Sequence, residues 1–320
     1  NNSKGVKTMI VTVTLNPSMD KTGNLANYEH GETNHITDVI RDAAGNGIIA
    51  SKTIKALGRK DSVATGFLGG INGERISLIL DSMAIPNDFV KIAGDTRTNL
   101  KVVEDNGFVT EFNEPGPIVN ESEIQTLTNK ILGYAGEDTI FVFSGSIPRN
   151  CPDTIYADLI TKVKEKGSKV VLDVHGDLLK TSISAQPDII KPNKKEIEDY
   201  YDMEFSVSEE GLIEMGKRIV NEQGVGMVAI SRGAMGAIFI TKEKSYICRA
   251  LKIEERHSTV GAGAAMDAAF ALGLQNHCSL EDMIKLAMAI SAGSVTTQGT
   301  KPASKDVVDE LMKQVELTEI

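Results

Sequence analysis

Thr154-Ile155-Tyr156-Ala157-Asp158-Leu159-Ile160-Thr161-Lys162-Val163-Lys164-Glu165-Lys166-Gly167-Ser168-Lys169-Val170-Val171-Leu172-Asp173 is the stretch that decides the fold class. Ile155, Leu159 and Val163 recur at the spacing of one helical face, and the β-branched run after Gly167 reads as a buried strand. The same rhythm extends in both directions. Helix is expected over Glu121 to Tyr134, strand over Thr139 to Phe143, helix over Thr154 to Lys166 and strand over Lys169 to Asp173. Strand follows over Asp188 to Lys191, helix over Leu212 to Glu222 and strand over Met227 to Ser231. Strands alternating with helices mean a three-layer α/β/α domain around a mostly parallel sheet.

Upstream, Met9 to Leu15 is a short apolar run closed by Asn16-Pro17, a buried first strand with Asp20 just beyond its C-terminal end. In an open α/β sheet that end faces the ligand crevice. Lys21 to Asp42 is polar and irregular, suiting a small strand pair outside the main sheet. Ala43-Ala44-Gly45-Asn46-Gly47 is then a glycine turn entering a helix through Ile48, Ser51, Ile54 and Leu57, with a further strand over Val63 to Leu68. Phe89 to Ile92, Asn99 to Glu104 and Phe108 to Phe112 read as successive hairpin strands, with Asp105-Asn106-Gly107 as a turn. The expectation is one domain over 9–320, with lid strands inserted at about 21–43 and 88–114, after a leader or cloning remnant at 1–8.

Downstream, His257-Ser258-Thr259-Val260-Gly261-Ala262-Gly263-Ala264-Ala265-Met266-Asp267-Ala268-Ala269-Phe270 is a glycine turn running into a helix on which Met266, Phe270 and Leu274 repeat every four residues. Gly261 and Gly263 flank one small residue, so backbone N–H groups can converge at the positive end of a helix dipole, a place for an anion. Ser279-Leu280-Glu281-Asp282 starts the next helix, and Lys305 to Val315 forms the last.

A chain of 320 residues with 41% apolar content can bury a large core. Its net charge of −10 excludes a general nucleic-acid or anionic-membrane surface, so any phosphate is held by a few placed cations. Cys151, Cys248 and Cys278 form no Cys-x-x-Cys pair, which fits a reducing, cytoplasmic setting. No apolar run reaches membrane-spanning length. The expected partners are small molecules, with no nucleic acid and no membrane.

On a strand, Arg97, Asn99 and Lys101 share one face, where a guanidinium fork and an ammonium could grip a phosphate; the competing reading is a solvated edge strand. A dinucleotide-dependent oxidoreductase would need Gly-x-Gly-x-x-Gly after the first strand, and that motif is absent.

From Met9 to about Glu316 the chain resembles the ribokinase-type (PfkB) carbohydrate kinases. The resemblance is carried by Thr14-Leu15-Asn16-Pro17-Ser18-Met19-Asp20, Gly66-Phe67-Leu68-Gly69-Gly70, Thr96-Arg97-Thr98-Asn99-Leu100-Lys101, Ser144-Gly145-Ser146-Ile147-Pro148, Ile190-Lys191-Pro192-Asn193 and Thr259-Val260-Gly261-Ala262-Gly263. It implies a ribokinase-like fold with a small β-sheet lid, commonly paired in a homodimer, and ATP and Mg²⁺ as cofactors. The paired cations at 97 and 101 resemble the branch that phosphorylates sugars already bearing one phosphate. The segments after Asn16 and around Ser51 to Gly58 are more similar to 1-phosphofructokinases than to tagatose-6-phosphate kinases, which makes fructose 1-phosphate the first acceptor and tagatose 6-phosphate the alternative.

The resemblance also implies roles. Asp20 would accept bonds from sugar hydroxyls, with Gly45, Asn46, Gly47 and Asn99 around the sugar and Arg97 and Lys101 on its phosphate. Gly261, Ala262 and Gly263 would form the anion hole for the transferred phosphoryl group. Lys191, Asn193, Ser231, Gly233 and Gly236 would hold the nucleotide, and Glu196 would act on magnesium through water. An Asn-x-x-Glu such as Asn193 to Glu196 is equally the pattern of a helix cap with its box partner.

The chain departs from the family at the site itself. Ala264 stands where the family has the aspartate that takes the proton from the attacking hydroxyl, Asn46 where it has a lysine, and Ile49 where it has an asparagine. Asp267 lies one helical turn beyond Ala264, about 4.5 Å along the axis, as a candidate substitute base. Three readings remain open: a kinase with weak or rerouted activity, an inactivated variant that traps ligands, and a natural pseudokinase or sensor of sugar phosphate.

Overall fold

Ile10 and Val11, neighbours in sequence, are both wholly buried yet belong to different cores, because successive side chains of a strand point to opposite faces of its sheet. The computed structural model describes residues 8–254 and 261–320. Residues 1–7 of the expected leader and His257 to Val260 of the glycine-rich stretch therefore lie outside the described residues.

The chain begins with β1 (Met9–Thr14), β2 (Ser18–Leu25), β3 (Thr37–Ala44), α1 (Asn46–Ala56), β4 (Ser62–Gly69), α2 (Gly70–Ser82) and β5 (Val90–Ile92). It continues through β6 (Arg97–Glu104), β7 (Val109–Asn113), α3 (Glu121–Tyr134), β8 (Thr139–Ser144), α4 (Ile155–Glu165), β9 (Lys169–Asp173) and α5 (Asp177–Ser182). Next come β10 (Ile189–Ile190), α6 (Lys194–Tyr200), α7 (Glu209–Gln223), β11 (Met227–Ser231), β12 (Ala237–Thr241) and β13 (Ser245–Cys248). It ends with α8 (Ala262–Gln275), α9 (Leu280–Ser294), α10 (Lys305–Met312) and β14 (Leu317–Glu319).

The large sheet has the order β14-β13-β12-β11-β10-β9-β8-β1-β4-β5. From β11 to β5 every pairing is parallel, and β12, β13 and β14 close the far edge in antiparallel register. Val11, Val13, Phe141, Phe143, Val170 and Leu172 pack on one face against Ile131 of α3, Leu159 of α4 and Ile219 of α7. Ile10, Ile140, Val142 and Val171 pack on the other against Ile54 of α1, Phe270 of α8 and Ile284 of α9. Each such side chain contributes about 1.5–3 kcal/mol on burial, so the two cores hold the three layers together.

Beside this stands a separate four-stranded sheet of order β3-β2-β6-β7. The expected hairpin strand at Phe89 to Ile92 is not part of it. Val90–Ile92 pairs in parallel with Phe67–Gly69 at the edge of the large sheet, where Val90 and Ile92 are buried. The small sheet thus takes only 97–113 from the second insertion.

Parallel strands end together. Thr14, Ser144, Asp173, Ile190 and Ser231 terminate β1, β8, β9, β10 and β11 on one edge of the large sheet. That edge is the ligand crevice of an open α/β sheet, and the small sheet stands against it through β2, which follows β1 after three residues.

Candidate active site

On the small sheet, Asp42, Asp20, Asn99 and Asn113 form one row across the four strands, and Ile40, Thr22, Lys101 and Glu111 form the next row on the same face. Asp20 is 5% exposed. Its carboxylate accepts a bond from Ser18 Oγ at 2.6 Å and pairs with Lys101 Nζ at 2.8 Å. Asn99 Nδ2 donates to Ser18 Oγ at 3.1 Å, while its buried Oδ1 has no partner among the described residues. Arg97 leans toward β1 instead: its guanidinium donates to the carbonyls of Glu114 (2.9 Å) and Asn16 (3.0 Å), with Ser146 Oγ at 3.4 Å. Burial draws its pKa below the ordinary value despite Asp20 and Glu114. It lies on an open groove of about 450 Å³ shared with Arg149.

Two helix starts meet at the crevice. Helix α1 begins from Gly45 at φ +121° and α8 from Gly261 at φ +82°, and neither has a side-chain cap. A Cβ at Gly45 would lie 2.6 Å from Thr14 Cγ2, and one at Gly47 2.4 Å from Thr14 Oγ1, so only glycine lets α1 start this close to β1. A Cβ at Gly261 would sit 3.4 Å from Ile49 Cδ1, which puts the two helix starts in contact. Ala265 N is the first amide of α8 to bond back, to Gly261 O at 2.8 Å. The N–H groups of Ala262, Gly263 and Ala264 have no acceptor within the helix and carry the positive end of its dipole. Ala264 itself presents a methyl group, 4% exposed.

Behind this turn lies a buried charge cluster. Lys191 Nζ is 3.0 Å from Asp173 Oδ1 and 3.9 Å from Asp267 Oδ1, and Asn46 Nδ2 donates to Asp173 Oδ2 at 3.2 Å. Burial works against the lysine charge, but Asp173 and Asp267 outweigh it and hold the Lys191 pKa above its ordinary value. Asp267 is fully buried, and among the described residues neither carboxyl oxygen has a hydrogen-bond donor. Burial first, and the neighbouring Asp173 second, push its carboxyl well above the usual range. The expected substitute base is thus sealed from solvent.

On the other side, Asn193 caps α6 by accepting from Glu196 N, and Glu196 accepts from Asn193 N, a complete capping box. Burial raises the Glu196 carboxyl. Ser231 N donates to Pro192 O at 3.0 Å, joining this segment to the turn at 231–236, where Gly233 and Gly236 take φ of +57° and +92°. Arg232, which the sequence reading assigned no role, anchors that turn from behind: it pairs with Glu209 at the start of α7 and donates to Met235 O at 3.3 Å. Between the turn and α8 opens a cleft of about 310 Å³, lined by Ser231, Gly233, Gly236, Leu251, Gly263 and Met288 among others.

Among the described residues no group of three or more His, Cys, Asp or Glu side chains is placed to hold a metal. A magnesium ion bound chiefly by nucleotide phosphates and water needs less, and the half-buried Glu196 carboxylate, a hard oxygen donor, fits that requirement. No helix is long and apolar enough to cross a membrane. The sequence reading missed Asp173; its signal was a carboxylate at the C-terminal end of a parallel strand.

The family description "pfkB family carbohydrate kinase" matches residues 13–306. The 1-phosphofructokinase of Borreliella burgdorferi is 36% identical over 313 residues, covering 98% of this chain and 99% of that protein. The crystal structure of phosphofructokinase-2 from Escherichia coli superposes with a TM-score of 0.90 at 27% identity, covering 96% and 99% of the two chains. Ribokinase from Thermotoga maritima, at 18% identity and TM-score 0.78 over 96% and 99%, shares the fold.

Proposed function

The chain belongs to the pfkB family of carbohydrate kinases and has its ribokinase-like fold, and from that premise we propose that it transfers the γ-phosphoryl group of ATP to fructose 1-phosphate, giving fructose 1,6-bisphosphate. The observation that carries this reading is the contact between two uncapped helix starts, at Gly45 and Gly261, between a sugar-side cluster and a nucleotide-side cleft. Phosphoryl transfer asks the protein mainly for positioning and for stabilising charge on the equatorial oxygens, which preorganised N–H groups supply.

In this reading Asp20 and Asn99 hold sugar hydroxyls, with Gly45, Asn46 and Gly47 lining the sugar. Lys101 and Arg97 hold the phosphate already on the sugar. Gly261, Ala262 and Gly263 receive the transferred group, and Lys191, Asn193, Ser231, Gly233 and Gly236 hold ATP. Glu196 would orient the water shell of magnesium, whose chemistry is to neutralise charge on the nucleotide phosphates. Tagatose 6-phosphate is the alternative acceptor. The exposed apolar side chains of the small sheet, Ile40 and Phe112, with Phe108 in its β6–β7 turn, support a homodimer formed through the lid, which sedimentation would detect.

One observation favours a second reading, a sensor that binds both ligands without turnover: the methyl group at Ala264 in place of a base. Assays with magnesium-ATP and fructose 1-phosphate, tagatose 6-phosphate or fructose 6-phosphate separate the two. Equimolar ADP and bisphosphate are expected, fastest with fructose 1-phosphate. Binding of both ligands by calorimetry, with no turnover here or in Ala264→Asp, would overturn the kinase reading in favour of the sensor.

A further inference from the structure

We propose that Asp173 is the catalytic base of this chain, accepting the proton of the attacking sugar hydroxyl that the absent acid at position 264 would otherwise take. This rests on the kinase reading above.

Position comes first. Asp173 ends β9 on the ligand edge of the sheet, and its side chain is 11% exposed, whereas that of Asp267 is 0% exposed. One carboxylate touches both halves of the site. Its Oδ2 accepts from Asn46 in the first turn of α1, on the sugar side. Its Oδ1 pairs with Lys191, whose Nζ lies 3.2 Å from where a Cβ on Gly263 would stand, inside the anion-hole turn. Asp173 therefore sits on the seam between the two subsites, where the hydroxyl must meet the phosphoryl group.

The contacts agree with that placement. Lys191 and the amide of Asn46 engage the two oxygens of Asp173 at 3.0 Å and 3.2 Å, whereas Asp267 behind them is sealed from solvent. The family pattern has a lysine at 46, and a second cation there would tie up the Oδ2 oxygen. Asn46 offers one neutral hydrogen bond of 3.2 Å, which a substrate hydroxyl can replace. The two departures at 46 and 264 thus become one change: the acid leaves the helix start, and the strand-end carboxylate is released to take its place.

The step balances. The sugar oxygen attacks the γ-phosphorus, and its O–H electron pair becomes the new O–P bond as the proton passes to Asp173 Oδ2. The bond from the γ-phosphorus to the bridging oxygen breaks, its electron pair leaves with ADP, and Asp173 later returns the proton to water. A largely dissociative transition state calls for proton removal late, which asks little of the accepting group.

The test compares the unmodified chain with Asp173→Asn, Asp267→Asn and the double variant Asp173→Asn with Ala264→Asp. Each is assayed for phosphotransfer to fructose 1-phosphate and for ligand binding by calorimetry. Asp173→Asn is expected to lower kcat by about 10²- to 10⁴-fold, with the KM for sugar phosphate within about threefold. Asp267→Asn should change kcat by less than about tenfold, and supplying the acid at 264 should restore at least about tenfold to the Asp173→Asn background. If Asp173→Asn keeps kcat within about tenfold of the unmodified chain, or if the double variant binds both ligands but recovers nothing, Asp173 is not the base. A misfolded Asp173→Asn that Ala264→Asp does not rescue assigns the residue a structural role and also overturns the proposal. Absence of turnover in the unmodified chain that Ala264→Asp does not restore defeats the kinase reading itself, whereas turnover in Ala264→Asp but not in the unmodified chain defeats Asp173 alone.

Discussion

Asp20 and Asp42 stand directly opposite each other on β2 and β3, and each is neutralised by a lysine from a different element. Lys101 of β6 reaches Asp20 at 2.8 Å, and Lys52 of α1 reaches Asp42 at 2.6 Å. Like charges paired across two strands repel, so the small sheet keeps its register at this row only while both cations are present. Lys101→Met is expected to cost about 3–5 kcal/mol, the penalty for stranding a buried charge. Urea unfolding would show it, and Asp20→Asn in the same chain should recover most of the loss. If Lys101→Met alone leaves the midpoint unchanged, the pair does not hold the sheet.

Arg97 is held by backbone carbonyls on both sides and has no carboxylate within ion-pair distance among the described residues. A phosphate is the natural counter-charge. Arg97→Ala should weaken binding of phosphorylated sugars by tenfold or more, the equivalent of about 1.5–3 kcal/mol for a charged hydrogen bond, and leave ATP binding within about twofold. Calorimetry with each ligand separately decides it; equal losses would contradict the assignment.

Two glycines separate steric from conformational cost. At Gly66, in the middle of the sheet, φ is +140° and a Cβ would lie 1.8 Å from Thr14 O, so Gly66→Ala must push β4 away from β1. At Gly261, φ is +82° but the nearest atom to a Cβ is 3.4 Å away, an ordinary contact. Gly66→Ala should therefore cost more than about 4 kcal/mol or prevent folding, and Gly261→Ala only about 1–2 kcal/mol. Urea midpoints of the two variants test the contrast, and a Gly66→Ala protein as stable as Gly261→Ala would refute it.

What could be read from the chain followed locality. Helix α3 is legible to the residue because Asn120 and Glu123 form a capping box just ahead of the buried Leu127 and Ile131. The parallel strands are legible because they are buried on both faces and read as continuous apolar runs. Val90–Ile92 is misplaced by sequence because its partner, Phe67–Gly69, lies across helix α2, and a three-residue strand does not declare which sheet it joins. Strands β12 and β13 escape for a related reason: the alternation of strand and helix stops after β11, and the chain doubles back in antiparallel register. At the site, the methyl group of Ala264 is plain from the sequence. The pairing of Asp173 with Asn46, 127 residues before it, is not, because only the meeting of strand ends with helix starts brings the two together.

Lys52 supplies a test in alkaline solution. Its ammonium is 2% exposed and donates to Asp42 Oδ1 and Ala43 O, both at 2.6 Å, with Thr300 Oγ1 at 3.4 Å. Thr300 also bonds Asp42 and lies 3.8 Å from where a Cβ on Gly261 would stand, so this clip ties the small sheet and α1 to the anion-hole turn. Burial lowers the Lys52 pKa below 10.5, although Asp42 opposes the shift. Between the depressed folded value and 10.5 the unfolded chain binds more protons at this site than the folded one, so this lysine's contribution to stability rises with pH across that window. Near neutrality Lys52→Met should cost roughly 2 kcal/mol, less than a sealed pair, because the Asp42 side chain is 28% exposed and keeps Thr300. The gap in stability between the unmodified chain and Lys52→Met should then widen as the pH rises toward 10.5, since groups common to both proteins cancel. Urea midpoints of the pair across that range provide the measurement, and a gap that stays constant would mean that burial does not depress this lysine.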